Sequence, residues 1–340
     1  MRTLFGYHLF ALSLALATSA RTEAQQVFGD LHVVANSLDG ALDVWPMDVD
    51  EDGDQDLLLY NSFRHALTWC SNKGSGTFSP AQWIDTTLST YAFGTVADMD
   101  GDGHLDPVVV SDDGRLSYIP RINGTTFGPP VVFATGLGTT VKDIVSVDLD
   151  DDGDTDIVAS LGTSGPFGSA YWLNDGMGDL GSPHVLLQPA DGIGLIVADL
   201  NNDGLPDVCT VTNGVLVRYL NQGNGTFGAA DFIFNDSALI AGLAVEANGD
   251  GIEDILLLLD TGDILLGLND GSSTYLNYTT VASGFTHFHF WNAADLNGDG
   301  RDDLCITSFD LPVQVNVLLN AGNGSWPTVT PRQCAWAKRR

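Results

Sequence analysis

The sequence predicts an all-β fold, a β-propeller of six four-stranded blades, with a seven-bladed ring as the alternative. An acidic nine-residue motif occurs six times in the 340 residues, about once every 50 residues. A short apolar segment typical of a buried strand follows each copy, and a glycine-rich motif comes later in each repeat. Four short strands in a repeat of this length are typical of a propeller blade. A solenoid is disfavoured because its terminal repeats are atypical caps.

The acidic motif places oxygen-bearing side chains at alternating positions around a glycine. Its first copy is DVDEDGDQD, residues 48–56, and the later copies begin at residues 98, 148, 199, 246 and 295. Positions 1, 3, 5 and 9 are Asp, Glu or Asn, and glycine at position 6 permits a sharp turn. We predict that these four side chains and the carbonyl of position 7 bind a cation. The predicted metal ligands are Asp48, Asp50, Asp52, Asp54, Asp56, Asp98, Asp100, Asp102, His104, Asp106, Asp148, Asp150, Asp152, Asp154, Asp156, Asp199, Asn201, Asp203, Leu205, Asp207, Glu246, Asn248, Asp250, Ile252, Asp254, Asp295, Asn297, Asp299, Arg301 and Asp303.

The number and type of these ligands favour calcium. Roughly six oxygen ligands per loop suit Ca²⁺ better than Mg²⁺, which keeps several of its waters. About half of the 44 acidic residues lie at ligand positions, whereas a merely solvated acidic surface would scatter them. The motif is not an EF-hand, because its closing acid is at position 9 rather than 12 and an apolar strand follows it. The sequence predicts up to six Ca²⁺ ions, and the loop with Glu246 and Asn248 is the weakest candidate.

The second motif places Asn, then Gly, then an apolar or aromatic residue at fixed offsets. It occurs at residues 72–78, 174–180, 221–227, 269–275 and 320–326. The second repeat departs from the pattern, with RINGTTF at 121–127. Asn and Gly tolerate the positive φ of tight hairpin turns, and the last residue of the motif can pack on a neighbouring strand. We interpret the motif as structural rather than ligand-binding.

The two ends of the repeat array bear on how the propeller closes. The spacing between Phe28 and the first acidic motif equals the spacing between Phe78 and the second. We therefore predict that residues 27–34 form the outermost strand of a blade. The sixth repeat is the expected host of this strand. Residues 327–330 compete for the same place, which keeps the seven-bladed closure open.

The two motifs together resemble the FG-GAP/VCBS repeat, which occurs in the propellers of integrin α-subunits and in many bacterial exported proteins. The resemblance covers residues 27–330 and is most specific in the acidic loops. YAFGTVADMD at 91–100 is the nearest match to the stretch that names the repeat. The resemblance implies loops that bind Ca²⁺ on one face of the ring. It implies no single function, because members serve in adhesion, in sugar binding and as scaffolds for polysaccharide lyases.

The N-terminus is typical of an export signal. Arg2 precedes the apolar stretch 9–17, and small residues mark cleavage sites after Ala20 and Ala24. The apolar stretch is too short for a membrane anchor, which needs roughly 18 apolar residues. We therefore predict a protein that is secreted, bound at the cell surface or periplasmic. The predicted organisation is a signal peptide at 1–24, one propeller domain at 27–331 and a basic tail at 332–340.

The charge of the chain excludes several classes of partner. The chain contains 13 Lys and Arg and 44 Asp and Glu, so its formal net charge is −31 at pH 7. Nucleic acids require a basic surface, and anionic membranes repel an acidic one. No second apolar segment of the sequence is long enough to insert into a membrane. We expect a monomer without nucleic-acid or membrane partners.

Four cysteines in an exported chain permit disulfides. Cys209 and Cys305 occupy equivalent places in the fourth and sixth repeats, too far apart for a bond, so we expect both to be buried free thiols. Cys70 lies in the first repeat and Cys334 follows the sixth. Because a closed ring makes those blades neighbours, a Cys70–Cys334 disulfide is a hypothesis.

The sequence offers little evidence of catalysis. It contains no P-loop, no Gly-x-Ser-x-Gly motif and no His-Glu-x-x-His motif. His287 and His289 share one face of a predicted strand and Trp291 could stack on a sugar, but we interpret the two histidines as surface residues. Four tryptophans are expected in the core between blades rather than as ligand platforms: Trp45, Trp69, Trp83 and Trp172.

The sequence therefore predicts an exported, calcium-stabilised propeller that acts as a non-enzymatic binding or adhesion module for an extracellular glycan or protein ligand. One alternative is an extracellular polysaccharide lyase or hydrolase built on the same ring. The other is a structural component of an exported assembly. Turnover that is lost on replacement of His287 or His289 would favour the enzyme, and binding without turnover would favour the module.

Overall fold

A computed structural model gives the fold of the chain. It describes residues 41–61, 66–74, 77–84, 91–111, 113–138, 141–162, 166–188, 191–271, 275, 277–285, 288–308, 314–322, 326 and 328–333. The predicted signal peptide, the predicted strand at 27–34, His287 and Cys334 lie outside these residues. Within them the fold class is confirmed: the chain is all-β, a propeller of six four-stranded blades. None of these segments forms a helix with the length and apolarity needed to cross a bilayer.

Residues 29–192 lie in the first of two compact units, which contains blades 1 to 3. Blade 1 consists of β1 (Ala41–Met47), β2 (Asp56–Asn61), β3 (Ala66–Cys70) and β4 (Gln82–Ile84). Blade 2 consists of β5 (Tyr91–Ala97), β6 (Asp106–Ser111), β7 (Leu116–Tyr118) and β10 (Val131–Ala134), with the hairpin β8 (Arg121–Asn123) and β9 (Thr126–Phe127) before its last strand. Blade 3 consists of β11 (Val141–Val147), β12 (Asp156–Leu161), β13 (Ser169–Trp172) and β14 (His184–Leu187).

Residues 193–340 lie in the second compact unit, which contains blades 4 to 6. Blade 4 consists of β15 (Gly192–Ala198), β16 (Asp207–Thr212), β17 (Val215–Tyr219) and β18 (Asp231–Asn235). Blade 5 consists of β19 (Leu239–Val245), β20 (Asp254–Leu259), β21 (Ile264–Gly267) and β22 (Tyr278–Ala282). Blade 6 consists of β23 (Phe288–Ala294), β24 (Asp303–Ser308), β25 (Gln314–Leu318) and β26 (Thr328–Gln333).

The second strand of each blade is the apolar segment that follows an acidic motif. β6, β12, β16 and β20 are buried at every position. In β6, Val108 and Val110 pack in the core between blades 2 and 3, whereas Val109 packs in the core between blades 1 and 2. Both faces of the strand are covered, which is why its sequence is continuously apolar instead of alternating. Each such side chain contributes about 1.5–3 kcal/mol through its burial.

The same arrangement recurs in the second unit. In β20, Leu257 packs in the core between blades 4 and 5, and its neighbours Leu256 and Leu258 pack in the core between blades 5 and 6. Trp326, the last residue of the sixth glycine-rich motif, is buried in this second core. The predicted packing role of that motif position is confirmed there.

Two expectations about packing are wrong. The fourth strand of blade 6 is β26, which pairs with β25, so the C-terminal segment takes the place that residues 27–34 were expected to fill. β26 also runs to Gln333, past the expected domain boundary at 331. Among the four tryptophans, Trp83 is 46 % exposed on β4, whereas the other three are buried as expected. In the described part of the chain β4 pairs with β3 alone at the edge of its blade, and the sequence pattern of β4 did not reveal this position.

The cysteines that the structure describes are free thiols. Cys209 is a buried free thiol as expected. Cys305 is a free thiol as expected but is only partly buried, contrary to the expectation that both would be buried. Cys70 is also a buried free thiol, contrary to the proposed disulfide with Cys334. Burial raises the pKa of the Cys70 thiol, and burial likewise raises the pKa of Cys305. Neither environment favours the reactive thiolate.

Candidate metal centre

Each acidic motif forms a loop between the first and second strands of its blade. We number these loops 1 to 6 in chain order and the positions within each loop 1 to 9. The backbone is left-handed at positions 4 and 6 of all six loops, with φ between 57° and 95°. Glycine at position 6 meets this requirement as predicted. The left-handed backbone at position 4 was not predicted. The sequence does indicate it, because position 4 is Gly, Asn or Asp in five of the six loops. Loop 1 is the exception, where Glu51 has a φ of 60°.

The acids at positions 1 and 5 hold the turn together by accepting backbone N–H groups. The N–H of position 6 donates to a carboxylate oxygen of position 1 in all six loops, at 2.6–3.0 Å. The N–H of position 7 donates to Oδ1 of position 5, at 2.8–3.1 Å. All these bonds lie within the motif, so nine residues are enough to specify the turn.

The closing aspartate at position 9 is the first residue of the second strand, and none of its surface is exposed. Its Oδ2 accepts the N–H of position 2 at 2.8–3.2 Å. Its Oδ1 accepts the N–H of the first residue of the glycine-rich motif in the same blade, at 2.6–2.7 Å. These bonds compensate part of the cost of burying a carboxylate beside an apolar strand.

Burial still dominates the pKa of the closing aspartates. It raises the pKa to about 7 in Asp106 and Asp254, although two backbone N–H bonds oppose the shift in each. The pKa of the other closing aspartates is raised for the same reason, to about 6 in Asp156, Asp207 and Asp303. Nearby carboxylates of the same loop add to the shift. The protein alone therefore does not stabilise the full negative charge of the loop.

Loops 1 to 3 bring three of their predicted ligand positions together. One carboxylate oxygen from each of positions 1, 3 and 9 lies within 4.8 Å of the other two. These triads are Asp48, Asp50 and Asp56; Asp98, Asp100 and Asp106; and Asp148, Asp150 and Asp156. The triads do not include the aspartate at position 5, which is tied to the N–H of position 7.

The aspartate at position 3 carries the clearest evidence for a cation. Oδ1 of Asp50, Asp100 and Asp150 is buried and has no hydrogen-bond partner. A buried acceptor without a partner costs about 1–3 kcal/mol, and more when it is charged. Burial and the neighbouring carboxylate at position 5 raise the pKa of Asp100 and of Asp150. A hard divalent cation would satisfy this oxygen and relieve the repulsion, and the all-oxygen donor set fits Ca²⁺.

Loops 4 to 6 have Asn at position 3 and balance part of their charge internally. The Asn201 amide donates to Oδ2 of Asp203 at 2.8 Å, and the Asn248 amide donates to Oδ2 of Asp250 at 2.9 Å. In loop 6 the Arg301 guanidinium lies 2.8 Å from Oδ2 of Asp299. Loops 4 to 6 therefore have the same backbone turn as loops 1 to 3, but fewer of their predicted ligand oxygens are left without a partner.

Position 7 was predicted to contribute only its carbonyl, and its side chain has a separate role. In five loops it lies over the first glycine of the glycine-rich motif in its own blade. A Cβ on Gly176 would clash with Oδ2 of Asp154, and a Cβ on Gly322 would lie 2.9 Å from the Arg301 guanidinium. Both glycines also have a φ of 71°. This motif therefore needs glycine for conformation and for close approach.

The leading Asn of the glycine-rich motif acts through its side chain, not through the positive φ that we expected for it. The Asn174 amide donates to the Thr155 carbonyl of its own blade at 3.1 Å and to the Met99 carbonyl of loop 2 at 3.0 Å. In blade 2 this place is taken by Arg121, whose guanidinium bonds the Val49 carbonyl at 3.0 Å and the Glu51 carboxylate at 3.1 Å. The departure of RINGTTF from the pattern is thus a substitution of one donor for another.

Comparison with known proteins supports this description of the repeat. The FG-GAP-like repeat model matches residues 48–109, 98–159, 148–210 and 199–246. The matches span more than half of the chain, and each begins at the first position of an acidic loop. The chain belongs to the FG-GAP-like repeat family. No curated protein sequence matches it significantly.

Solved propellers resemble this FG-GAP-like repeat protein in fold. A lectin from Agrocybe aegerita that recognises non-reducing terminal N-acetylglucosamine matches with a TM-score of 0.65 and 20% identity, over 84% of this chain and 79% of the lectin. The lectin BP39L from Burkholderia pseudomallei matches with a TM-score of 0.59 and 16% identity, over 83% and 82%. YCF48 bound to a D1 peptide matches with a TM-score of 0.57 and 10% identity, over 87% and 82%.

The chemistry available to the FG-GAP-like loops is binding of a hard cation. Their donors are carboxylates, amides and backbone carbonyls, and the closing aspartates are committed to backbone N–H groups as well. Among the catalytic candidates, the side chain of His289 is outside the described part of the chain, and Trp291 is partly buried against the core of blades 5 and 6.

Proposed function

We propose that this protein is an exported, calcium-stabilised propeller that binds a neutral or N-acetylated glycan without turning it over. The observation that carries the metal half of the proposal is the buried, unpartnered Oδ1 of Asp50, Asp100 and Asp150. The likeness to two glycan-binding propellers supports the ligand half. The net charge of −31 adds a restriction, because it repels acidic polysaccharides.

Calcium would act here on stability. Bound at positions 1, 3 and 9, it would supply the positive charge that loops 1 to 3 lack. Extracellular Ca²⁺ modules bind with a Kd of roughly 0.1–1 mM. At ten times the Kd each occupied loop stabilises the fold by about 1.4 kcal/mol, so three loops contribute about 4 kcal/mol. That is a large share of the 5–15 kcal/mol typical of a folded domain.

A metal count on the purified chain tests the calcium half. We expect at least three Ca²⁺ per chain after dialysis against millimolar calcium, and a lower melting temperature in EDTA. The triple variant Asp50→Asn, Asp100→Asn, Asp150→Asn should lose these ions, because it replaces the charged carboxylate at position 3 of all three loops with a neutral amide. A metal-free chain whose melting temperature is the same in EDTA and in calcium would refute the calcium half.

Trp83 is the side chain that we expect to contact the glycan. It is 46 % exposed on the outermost strand of blade 1, and an exposed indole offers an apolar face to a sugar ring. Val185 is the matched control, because it is 41 % exposed on the outermost strand of blade 3 and has no aromatic ring. Trp83→Ala should weaken glycan binding, whereas Val185→Ala should not.

A glycan array combined with a turnover assay on the same sample separates the candidate functions. Binding without product favours the module. Product formation favours the lyase or hydrolase, and its loss in His287→Ala or His289→Ala would place the reaction there. The chain could also bind no glycan and release no product, but bind an extracellular peptide, as YCF48 binds the D1 peptide. That result would favour a protein ligand or a role in an exported assembly.

Export itself is tested at the N-terminus. Cleavage after Ala20 or Ala24 would give a mature chain that begins at Arg21 or Gln25. Sequencing the N-terminus of the protein recovered outside the cytoplasm should find one of these residues. An intact Met1 on the exported chain would contradict the predicted signal peptide.

A further inference from the structure

We propose that cation binding is positively coupled between neighbouring loops, and that Asn174 is the positioning residue that couples loops 2 and 3. The inference rests on the calcium binding proposed above and adds a rule for how the loops fill. It follows from a continuous chain of buried hydrogen bonds that joins the ligand carboxylate of one loop to that of the next.

The chain between loops 2 and 3 has three bonds. The Met99 N–H donates to Oδ2 of Asp106, the closing aspartate of loop 2, at 3.0 Å. The carbonyl of the same residue accepts the Asn174 side-chain amide at 3.0 Å. The Asn174 backbone N–H then donates to Oδ1 of Asp156, the closing aspartate of loop 3, at 2.7 Å. All four residues are at least 97 % buried, with exposures of 0 to 3 %.

The same chain joins loops 1 and 2 through a different residue. The Val49 N–H donates to Asp56 at 2.9 Å, and its carbonyl accepts the Arg121 guanidinium at 3.0 Å. The Arg121 backbone N–H donates to Oδ1 of Asp106 at 2.7 Å. Blade 2 therefore has the same bridge with arginine in place of asparagine.

The second unit repeats the arrangement within itself. Asn269 joins loops 4 and 5, because its amide donates to the Leu200 carbonyl at 2.7 Å and its N–H donates to Asp254 at 2.7 Å. Asn320 joins loops 5 and 6, with its amide 2.8 Å from the Ala247 carbonyl and its N–H 2.7 Å from Asp303. Each unit therefore contains three loops in one connected series.

The physical basis of the coupling is shared ordering. A cation in loop 2 fixes the Asp106 carboxylate, and that carboxylate accepts the Met99 N–H. The carbonyl of Met99 is ordered with the rest of that residue and accepts the Asn174 amide. The Asn174 N–H in turn positions Asp156 for the next cation. The second ion then finds a site that is already ordered, so it binds more tightly. By linkage the effect is reciprocal, and coupling of this kind typically changes affinity 5–150-fold.

Hydrogen exchange of the loop peptides during a calcium titration tests the proposal on the full chain. The peptide over 98–106 reports occupancy of loop 2, and the peptide over 148–156 reports occupancy of loop 3. Asp100→Asn weakens loop 2 directly. In a protein with no other substitution, we expect Asp100→Asn to raise the calcium concentration at which the loop 3 peptide reaches half of its full protection. The expected increase is about fivefold or more.

The second arm repeats the measurement without the bridge. Asn174→Leu removes the amide and keeps the backbone N–H to Asp156, so adding Asp100→Asn should no longer change loop 3. Asn174→Ser serves the same purpose if the leucine variant fails to fold, which circular dichroism checks. Asn72→Leu is the matched control, because the Asn72 amide donates to the Gln55 carbonyl in its own blade. In the Asn72→Leu background the response of loop 3 should persist.

The outcomes separate this inference from the proposed function. If calcium protects neither loop of the unsubstituted chain, the proposed calcium binding is wrong and the coupling falls with it. If calcium protects both loops but Asp100→Asn leaves loop 3 unchanged, or tightens it, only the coupling is wrong. If the response of loop 3 survives in both Asn174 variants, coupling exists but Asn174 does not carry it, and the assignment is overturned.

Discussion

The loops of blades 1 to 3 and those of blades 4 to 6 share one backbone turn but balance their charge in different ways. With Asp at position 3, as in Asp150, a buried oxygen is left without a partner. With Asn at position 3, as in Asn201, the amide donates to the acid at position 5 and the loop lowers its own charge. A single change from carboxylate to amide therefore separates a loop with a buried, unpartnered carboxylate oxygen from one that satisfies its acid at position 5 internally. The backbone turn and the charge balance are separable properties of one motif.

The largest effect should come from the closing aspartates and should be the same in both sets of loops. Asp156→Ala and Asp254→Ala each leave two buried backbone N–H groups unpaired. At 1–3 kcal/mol per group, the free energy of unfolding should fall by about 2–6 kcal/mol in EDTA, as measured by urea denaturation. Asp152→Ala, at an exposed position of loop 3, should cost about 1 kcal/mol. A much smaller loss in Asp254→Ala than in Asp156→Ala would show that the shared turn is not equally important in both sets.

Removal of calcium should distinguish the two sets. EDTA should increase hydrogen exchange in β2, β6 and β12 more than in β16, β20 and β24, because among the described residues only loops 1 to 3 have a buried carboxylate oxygen without a partner. The expected loss is about 1.4 kcal/mol for each emptied loop at ten times the Kd. An equal increase in exchange in all six strands would remove the proposed difference between the sets.

The pH dependence should be shared in EDTA and should diverge in calcium. Burial raises the pKa of the closing aspartates above the unfolded value of 3.8, to about 7 in Asp106 and Asp254. The stabilisation that this shift provides is complete below pH 3.8 and is lost as the pH rises through the folded pKa. The melting temperature in EDTA should therefore fall between pH 5 and about pH 8. Calcium should oppose this fall, mainly in blades 1 to 3, because it binds the ionised carboxylates. A melting temperature in EDTA that rises over this range would contradict the assignment.

The smallest effect should follow from exchanging the residues at position 3. Asp150→Asn should weaken calcium binding in loop 3, and Asn201→Asp should strengthen it in loop 4, each on the order of tenfold because ligand charge sets affinity in such sites. Hydrogen exchange of the peptides over 148–156 and 199–207 during a calcium titration measures both. If the two affinities do not move in opposite directions, position 3 is not what separates the two sets.

Much of the fold and of the candidate site followed from the sequence because the signals are local and repeated. Hydrogen bonds that span only a few residues close each acidic loop, and the apolar run after it predicts a buried strand wherever both faces are covered. The outermost strands were less predictable. Whether 27–34 or β26 completes blade 6, and whether Trp83 is buried, depends on which surfaces meet and not on the pattern of any one segment.

The sequence by itself determined the repeat, the turn and the chemical type of every donor in the acidic loops, because those properties are written within nine residues. Only the tertiary structure decided which oxygens remain without partners and which residues connect one loop to the next. Asp100 and Asp102 look equivalent in sequence, yet Asp102 accepts a backbone N–H and Oδ1 of Asp100 has no partner. Arg121 can take the place of the motif's leading asparagine because its guanidinium reaches the Val49 carbonyl of the neighbouring blade. Such roles depend on distances between residues far apart in the chain, and packing sets those distances.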